Sequence, residues 1–348
     1  MKELLPDIER WRGRGEAVAL ATVVATRRSS PRPVGSKLAV SESGELAGSV
    51  SGGCVESDVV LAAQEVLAGE PPRLVTYGIT DDMALSVGLP CGGEIDVFVE
   101  PLRDVVDSEE RAVLFTVLAG DDAGAKLLVR EDGTVSGDGP AELAELAHDA
   151  LRVGRSHVVQ ENVFADVFGP PPRLLVYGAV DVAEALCRAA KLLGWRTIVA
   201  DARARFATPE RIPSADELLV AWPEEALELV RPDLGTAILV LTHDDKFDLP
   251  MLTAALESDA FYVGALGSRR NQERRRGLLL EAGVPEADLD RINGPAGLDI
   301  GAESPAETAL SMLAEILAVR AGRSGGPLRE STHRIHAERL SAPIPAKK

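Results

Sequence analysis

The second half of the chain alternates short apolar segments with amphipathic ones, and this pattern constrains the fold more than any other feature. The first predicted strand of this half begins at Arg173 and the last ends at Leu266, with predicted helices between them. Short buried strands joined by helices are typical of a parallel sheet with helices on its faces. We therefore predict a Rossmann-like, doubly wound α/β domain over residues 171–322.

Residues 1–168 show a different pattern, which predicts an α+β domain. A short helix over residues 1–16 should bury Trp11, and a hairpin and a second helix follow. A weak internal repeat is also present: Lys37-Leu38-Ala39-Val40 matches Lys126-Leu127-Leu128-Val129, and Asp96-Val97-Phe98 echoes Asp166-Val167-Phe168. The repeat predicts two related half-units, the alternative being two unrelated hairpins. Only the first copy contains cysteines, so it should carry the chemistry.

Two proline- and glycine-rich stretches set the domain boundaries. Gly169-Pro170-Pro171-Pro172 is a stiff break between the two patterns. After the last predicted helix, residues 323–348 are rich in glycine, proline and charge, which predicts a flexible tail. The expected organisation is an N-terminal domain at 1–168, a C-terminal domain at 171–322 and a tail.

Charge and composition exclude several classes of function. The net charge of −18 repels nucleic acid and anionic membranes, so we expect neither as a partner. No run of apolar residues reaches the roughly 18 to 20 that a membrane helix needs, and the N-terminus does not resemble a signal peptide. We expect a cytoplasmic protein, whose three cysteines are too few for a disulfide framework and are therefore free thiols.

The first chemical motif is Ser51-Gly52-Gly53-Cys54, followed by Glu56, between a predicted strand and a predicted helix. Two glycines let backbone N–H groups turn toward an anion, which the helix dipole also favours. The same field lowers the pKa of a thiol at a helix start, which would make Cys54 a better metal ligand or sulfur nucleophile. The alternative is a tight turn with a small buried cysteine.

A second cysteine motif, Cys91-Gly92-Gly93, occurs in a loop of the same domain. By itself this motif favours a buried cysteine, but two cysteines in two glycine-rich loops suggest one site with Cys54. Structural zinc normally needs four ligands, so this pair does not predict it. Cys187 lies within a predicted helix of the second domain and should belong to the core.

A third loop, Ser29 to Lys37, offers serine hydroxyls, Arg32 and a lysine. These groups could hold a phosphate, or the loop could be an ordinary rigid proline turn.

The first strand-to-helix turn of the second domain carries half of a dinucleotide-binding fingerprint. The pattern G-x-G-x-x-G is interrupted at Val180, and Asp181 adds negative charge where a pyrophosphate would lie. Asp201 nevertheless stands where a ribose-binding acid is expected. On balance we predict that NAD(P) binds weakly or not at all.

Polar residues also follow the later strands of this domain. They are Thr242-His243-Asp244, Gly264 to Arg270 and Gly297 to Glu303, with Asp299 in the last segment. Ligands of open α/β sheets bind at the carboxyl ends of the strands, so His243 and Asp244 could move protons or recognise a polar ligand. Asp299 could equally cap the last helix. We expect the cysteine loops to face these strand ends, within one chain or across a homodimer.

Together, these motifs make the chain resemble the XdhC/CoxI family of accessory proteins for molybdenum hydroxylases. The resemblance extends from about Ala17 to Arg320. Its most specific parts are Ser30-Pro31-Arg32-Pro33, Gly48 to Glu56, Cys91-Gly92-Gly93, Thr242-His243-Asp244, Gly264 to Arg270 and Gly297 to Ala302. One departure is Gly178-Ala179-Val180-Asp181, where many members carry Gly-Ala-Gly-His.

The resemblance implies an accessory protein rather than a metabolic enzyme. Such a protein binds the molybdenum cofactor, as molybdopterin or its dinucleotide form, protects it, supports its sulfuration and delivers it to xanthine dehydrogenase or a related hydroxylase. Partners would be the hydroxylase large subunit, a cysteine desulfurase and a second copy of the chain. Cys54 and Cys91 would be the catalytic and molybdenum-contacting residues. The expected cofactor-binding residues are Arg32, Ser51, Gly52, Gly53, Cys54, Glu56, Cys91, Gly92, Gly93, His243, Asp244 and Asp299.

Two other classes of function remain open on the sequence alone. An NAD(P)-dependent oxidoreductase would use the Rossmann-like domain, although the interrupted glycine pattern counts against it. A scaffold protein would use both cysteine loops only as structural turns.

Overall fold

A computed structural model describes residues 1–27, 32–78, 93–103 and 110–331. The chain divides into two compact units, formed mainly by Met1–Leu151 with Arg155–Pro170 and by Pro171–Pro327. Within the described ranges, no helix is both long and apolar enough to span a bilayer. The flexibility expected for the tail stays a prediction, because residues 332–348 lie outside the described part.

The first unit begins with a five-stranded antiparallel sheet. Its strands are β1 (Val18–Arg27), β2 (Lys37–Ser41), β3 (Leu46–Gly48), β4 (Arg73–Gly78) and β5 (Glu94–Pro101), in the order β3-β2-β1-β5-β4. Helix α1 (Leu5–Gly13) precedes the sheet, and α2 (Glu56–Leu67) connects β3 to β4. Trp11 is fully buried, as predicted, and its indole N–H donates to Glu45 at 2.7 Å. Val59 and Ala63 of α2 are also fully buried and complete the core of this sheet.

A second antiparallel sheet repeats this arrangement. Its strands are β6 (Ala112–Val117), β7 (Lys126–Arg130), β8 (Val135–Gly137), β9 (His157–Gln160) and β10 (Val163–Phe168), in the order β8-β7-β6-β10-β9. A 3-10 turn (Ala141–Leu146) and helix α3 (Ala147–Val153) lie between β8 and β9, at the position that α2 occupies in the first sheet. The predicted repeat of two α+β half-units is therefore present in the fold.

Strand register corrects one detail of the predicted repeat. Thr22 pairs with Lys37 and Phe98, and Thr116 pairs in the same way with Lys126 and Phe164. These pairs align Phe98 with Phe164, so two residues further along the strand Glu100 aligns with Asp166. The sequence had matched Asp96 with Asp166, which is wrong by four residues. A short sequence echo cannot fix register, because hydrogen bonding between strands sets it and loops of unequal length shift it.

Ion pairs join the two half-units reciprocally. Lys37 Nζ lies 2.7 Å from Asp166, and Lys126 Nζ lies 2.7 Å from Glu100, so each lysine pairs with the acid of the other half-unit. Burial raises the pKa of Glu100 although Lys126 opposes the shift. A cavity of about 40 Å³ between the half-units is lined by all four side chains, a volume that suits a water molecule.

The second unit contains the predicted parallel sheet. Its strands are β11 (Arg173–Tyr177), β12 (Arg196–Ala200), β13 (Glu217–Leu219), β14 (Thr236–Val240), β15 (Tyr262–Ala265) and β16 (Ile292–Asn293), in the order β13-β12-β11-β14-β15-β16. The helices are α4 (Asp181–Leu192), α5 (Pro223–Val230), α6 (Asp245–Glu257), α7 (Arg269–Glu281), α8 (Glu286–Leu289) and α9 (Pro305–Arg320).

Two separate apolar clusters show that this sheet is doubly wound. One cluster contains buried side chains of α5, α6 and α7, and the other contains those of α4 and α9. Both clusters include residues of β11 and β14, whose side chains alternate between the two faces. Cys187 is fully buried in the second cluster, as expected, and burial raises the pKa of its thiol to about 12. The α/β fold class predicted from the sequence is thus confirmed.

Candidate functional site

The topology of the first sheet brings the described ends of three loop segments to one edge. Because neighbouring strands are antiparallel, the ends of β1, β3 and β4 lie at the same edge as the beginnings of β2 and β5. Segments 28–36, 49–55 and 79–93 connect these strand and helix ends. We call this the loop edge. It is defined by the strand residues that flank the three segments, which we call the roots of the loops: Arg27, Lys37, Gly48, Gly78 and Glu94. Residues 28–31 and 79–92, with Cys91 and Gly92, lie outside the described residues.

The second half-unit does not carry the same loops. The connection that corresponds to 49–55 is residues 138–140, and the one that corresponds to 79–93 is residues 161–162. The two cysteine-bearing segments are therefore additions of the first half-unit to a shared framework. This asymmetry agrees with the expectation that chemistry is confined to the first copy.

A buried carboxylate ties the roots of two of these loops together. Asp96 is 1% exposed and accepts hydrogen bonds from Arg27 at 2.6 Å and from Thr76 at 2.7 Å. Arg27 also donates to Glu94 at 3.2 Å. Segment 28–36 therefore starts beside the point where segment 79–93 ends. This group was not predicted from the sequence, because its members come from three different strands.

The Ser51-Gly52-Gly53-Cys54 loop folds around the carboxylate of Glu56. One oxygen accepts from Ser49 Oγ at 2.7 Å and from the backbone N–H groups of Ser51 and Gly52 at 2.9 and 3.1 Å. The other oxygen accepts from Gly53 N–H at 2.8 Å and from Ser51 Oγ. Gly52 and Gly53 have φ values of +78° and +114°, a region that side chains disfavour.

Glu56 thus takes the place that the sequence pattern predicted for an external anion. Burial alone would raise the pKa of Glu56, but the hydrogen bonds from Ser51 and Ser49 outweigh it and lower the pKa to about 2. The N–H groups of this turn are already used, so they are not open donors for a phosphate. A role of Glu56 and of the two glycines in cofactor binding remains a prediction, and the geometry favours an indirect one.

Cys54 is exposed at the surface of this turn. Its backbone N–H donates to Ser51 Oγ at 2.9 Å, so the backbone that carries the thiol is held by the same network. The alternative of a small buried cysteine therefore does not apply to Cys54. Gly93, at the far end of the other cysteine loop, is buried.

Arg32 is exposed at the third segment of the loop edge. The turn that follows it is well defined, since Gly35 N–H donates to the Val23 carbonyl at 2.8 Å. A Cβ atom at Gly35 would come within 3.1 Å of Ser156 Oγ, so this turn packs closely against the second half-unit. Arg32 thus lies in a loop that both half-units support.

In the second unit, the acid at the ribose position is satisfied internally. Asp201 is 1% exposed, accepts from Ala179 N–H at 2.9 Å, and pairs with Arg203 through both oxygens at 2.9 and 2.8 Å. Burial opposes ionisation, but the hydrogen bonds from Arg203 and Ala179 lower the pKa of Asp201. Arg203 was not predicted from the sequence. It pairs with both oxygens of Asp201, which a ribose hydroxyl would otherwise use as hydrogen-bond acceptors.

We therefore expect NAD(P) to bind weakly to the full chain, with a dissociation constant above about 1 mM. Val180 obstructs the approach of a pyrophosphate, and Asp201 is already paired with Arg203. Isothermal titration calorimetry with NAD and with NADP measures this directly. Stoichiometric binding in the micromolar range would contradict the expectation and favour an oxidoreductase.

His243 and Asp244 lie at the carboxyl end of β14, as predicted, and both are exposed. Asp244 is the N-cap of α6, accepting from Lys246 N–H at 3.2 Å. The buried groups beneath them are Asp248 and Arg275, which pair at 2.5 Å. The hydroxyl of Thr242 donates to Asp248, and Arg275 donates to the Leu266 carbonyl at 2.9 Å. This pair links the loop after β14 to the loop after β15.

Asp299 is exposed in the segment before α9. Helix α9 is capped by Ser304, whose hydroxyl accepts from Glu307 N–H while Glu307 accepts from Ser304 N–H at 2.8 Å. The alternative that Asp299 caps this helix is therefore wrong. In the part of the chain that the structure describes, no group of three or more His, Cys, Asp or Glu side chains is arranged to hold a metal ion.

Comparisons with known proteins match both units of the chain to one family. The family model described as XdhC and CoxI family matches residues 11–78, and the XdhC Rossmann domain model matches residues 174–316. The chain is 30% identical over 306 residues to the molybdenum cofactor insertion chaperone PaoD of Escherichia coli K12, covering 88% of this chain and 84% of that protein. It is 29% identical over 316 residues to a probable xanthine dehydrogenase subunit of Bacillus subtilis 168, covering 88% and 94%.

A solved structure has the same overall fold. A crystal structure from Bacillus halodurans, described as a xanthine dehydrogenase, superposes with a TM-score of 0.57 at 25% sequence identity. The superposition covers 94% of this chain and 97% of that one. The first family model ends at residue 78, so the match includes segments 28–36 and 49–55 of the loop edge and stops where segment 79–93 begins.

Proposed function

Because the chain belongs to the XdhC and CoxI family, we propose that it is an accessory protein that binds the molybdenum cofactor and inserts it into a molybdenum hydroxylase. The relative from Escherichia coli is named as an insertion chaperone for this cofactor, and the relative from Bacillus subtilis as a probable xanthine dehydrogenase subunit. The cofactor is therefore the cargo of this protein. A xanthine dehydrogenase or a related enzyme receives it.

The observation that carries this proposal is the exposed thiol of Cys54 on a turn fixed by Glu56. A thiolate is a suitable ligand for a soft transition metal, and a turn whose donors are all satisfied keeps the thiol in one place. Glu56 in this scheme is a positioning residue. Cys54, together with Cys91 from segment 79–93, contacts the molybdenum.

The other groups of the loop edge suit the organic part of the cofactor. Arg32 is exposed at the same edge as the Cys54 turn, and its guanidinium matches the geometry of a phosphate. At the loop edge, the end of β3 and the beginning of β5 are three strand spacings apart, roughly 14 Å, a width that an organic cofactor can span. His243, Asp244 and Asp299 are also proposed as cofactor-binding residues.

The proposal also includes protection of the cofactor, support of its sulfuration and three protein contacts. A cysteine desulfurase supplies the sulfur, the hydroxylase large subunit receives the cofactor, and two copies of the chain form a homodimer. The proposed compartment is the cytoplasm, where the cysteines stay reduced.

The direct test is to purify the protein from a host that makes the cofactor and to measure molybdenum and pterin per chain. We expect both in similar amounts, because the whole cofactor is bound. Protein without either would favour a scaffold, and protein that changes nicotinamide fluorescence on titration would favour an oxidoreductase.

A further inference from the structure

The second unit contains an open cleft that the proposed function does not use. Its volume is about 400 Å³, within the range of small-molecule sites. It lies beside α7 and the segment Gly294-Pro295 that follows β16. Ligands of parallel α/β sheets bind at the carboxyl ends of the strands, and Gly294 and Pro295 of the lining directly follow the carboxyl end of β16.

Three arginines of α7 line the cleft. Arg269 belongs to the Gly264-to-Arg270 motif and is exposed. Arg276 pairs with Asp290 at 2.9 Å. Arg275 is buried, and its Nε–H has no hydrogen-bond partner within the described chain. Its other guanidinium nitrogens bond to Asp248 and to the Leu266 carbonyl, so the Nε–H is the one donor of this lining side chain that the described chain leaves unsatisfied, which is costly for a buried group.

The rest of the lining is largely apolar. It is formed by the side chains Leu252, Leu279, Leu289, Ile292 and Pro295. Gln272 forms one wall, since its amide donates to the Ala265 carbonyl at 3.0 Å and a Cβ atom at Gly294 would approach its side chain to 2.5 Å. Glu273 is the acidic side chain of the lining. The cleft thus offers guanidinium groups at an apolar surface.

From these features we propose that the cleft binds a small organic acid, with an apolar body and one phosphate or carboxylate group received by Arg269. A guanidinium donates two parallel hydrogen bonds to either oxyanion. The apolar side chains receive the body of the ligand. This cleft shares no residue with the loop edge, and the proposal does not depend on molybdenum cofactor binding.

The test uses calorimetry on the full chain with three probes: phenyl phosphate, benzoate and inorganic phosphate. We expect at least one aromatic acid to bind, and the tighter of the two identifies the preferred oxyanion. Inorganic phosphate should bind about tenfold more weakly, because it lacks the apolar body that accounts for at least about 1.4 kcal/mol.

Neighbouring arginines provide a matched control. Arg269→Gln should weaken the aromatic acid about tenfold or more through loss of a charged hydrogen bond, while Arg270→Gln, which removes a charge that does not line the cleft, should leave it unchanged. Glu273→Gln should tighten binding, since it removes a repelling carboxylate. The proposal is overturned if no probe binds, if Arg270→Gln weakens binding as much as Arg269→Gln, or if inorganic phosphate binds as tightly as the aromatic acids.

Discussion

Replacing Asp248 with asparagine is expected to lower the free energy of unfolding of the second unit by about 3–5 kcal/mol, because it leaves the buried charge of Arg275 without its partner. The two side chains are 1% and 2% exposed and lie 2.5 Å apart. Arg275 also holds the Leu266 carbonyl, so the loss should extend to the loop that carries Arg269. Urea unfolding followed by the fluorescence of Trp195 and Trp222 reports on this unit, with Trp11 as the reporter of the other.

Asp245 provides the control on the same helix. It pairs with Arg274, but the two side chains are 38% and 50% exposed, so Asp245→Asn should cost no more than about 1 kcal/mol. Equal losses for the two variants would mean that the buried pair contributes no more than a surface pair. In that case, the Asp248–Arg275 pair would not be what holds the loops after β14 and β15 together.

The second large effect is expected at Glu56, which does not need to touch the cofactor. Glu56→Gln replaces an acceptor oxygen with an NH₂ group that faces the N–H donors of the turn. Variants of residues that orient a metal ligand typically cost about 10- to 100-fold in metal affinity, and we expect molybdenum per chain to fall about tenfold. Faster hydrogen exchange at Gly52 and Gly53 should accompany this loss, with Cys54 still present.

The control for Glu56 is Glu65→Gln on the same helix. Glu65 is 56% exposed and pairs with Arg73, so its replacement should change neither molybdenum content nor exchange at the turn. If Glu56→Gln accelerates exchange without lowering molybdenum content, the turn does not position a cofactor-binding thiol. If it changes neither, the carboxylate does not hold the turn.

The pKa of Glu56 gives this network a defined pH dependence. A folded-state pKa of about 2, below the ordinary 4.5, means that the carboxylate stabilises the turn fully above about pH 4.5. The stabilisation is lost as the pH falls from there toward 2, where the folded protein also takes up the proton. The protection of the Gly53 N–H against hydrogen exchange, relative to its intrinsic rate at each pH, should therefore fall in this range in the wild type and stay constant in Glu56→Gln.

The alternating pattern of the second half was sufficient to predict its sheet, because each strand and helix has the hydrophobic period of its own structure. The pattern is clearest where strands are fully apolar, as in β11 and β14, which are buried on both faces. Strand β16 has only two residues, Ile292 and Asn293, and was missed because so short a segment has no period.

The locations of the motifs were also predictable, but their internal contacts were not. A carboxylate near a helix start often accepts hydrogen bonds from backbone N–H groups. Glu56, five residues after Ser51, was therefore a signal that a side chain of the same segment could accept from the N–H groups of the Cys54 turn. Asp248 and Arg275 gave no such signal. They lie 27 residues apart on different helices, and only the folded sheet brings them together.

The most direct test of cofactor binding at the loop edge compares molybdenum and pterin per chain in the wild type, Cys54→Ala and Cys187→Ala, all purified from a host that makes the cofactor. Both variants lose one thiol, but Cys54 is exposed at the loop edge and Cys187 is buried in the second unit. Thermal unfolding confirms that each variant is folded. We expect Cys54→Ala to lose most of its molybdenum, while Cys187→Ala, once folded, keeps the wild-type amount. Equal molybdenum content in the wild type and Cys54→Ala would contradict a role of this thiol in holding the cofactor.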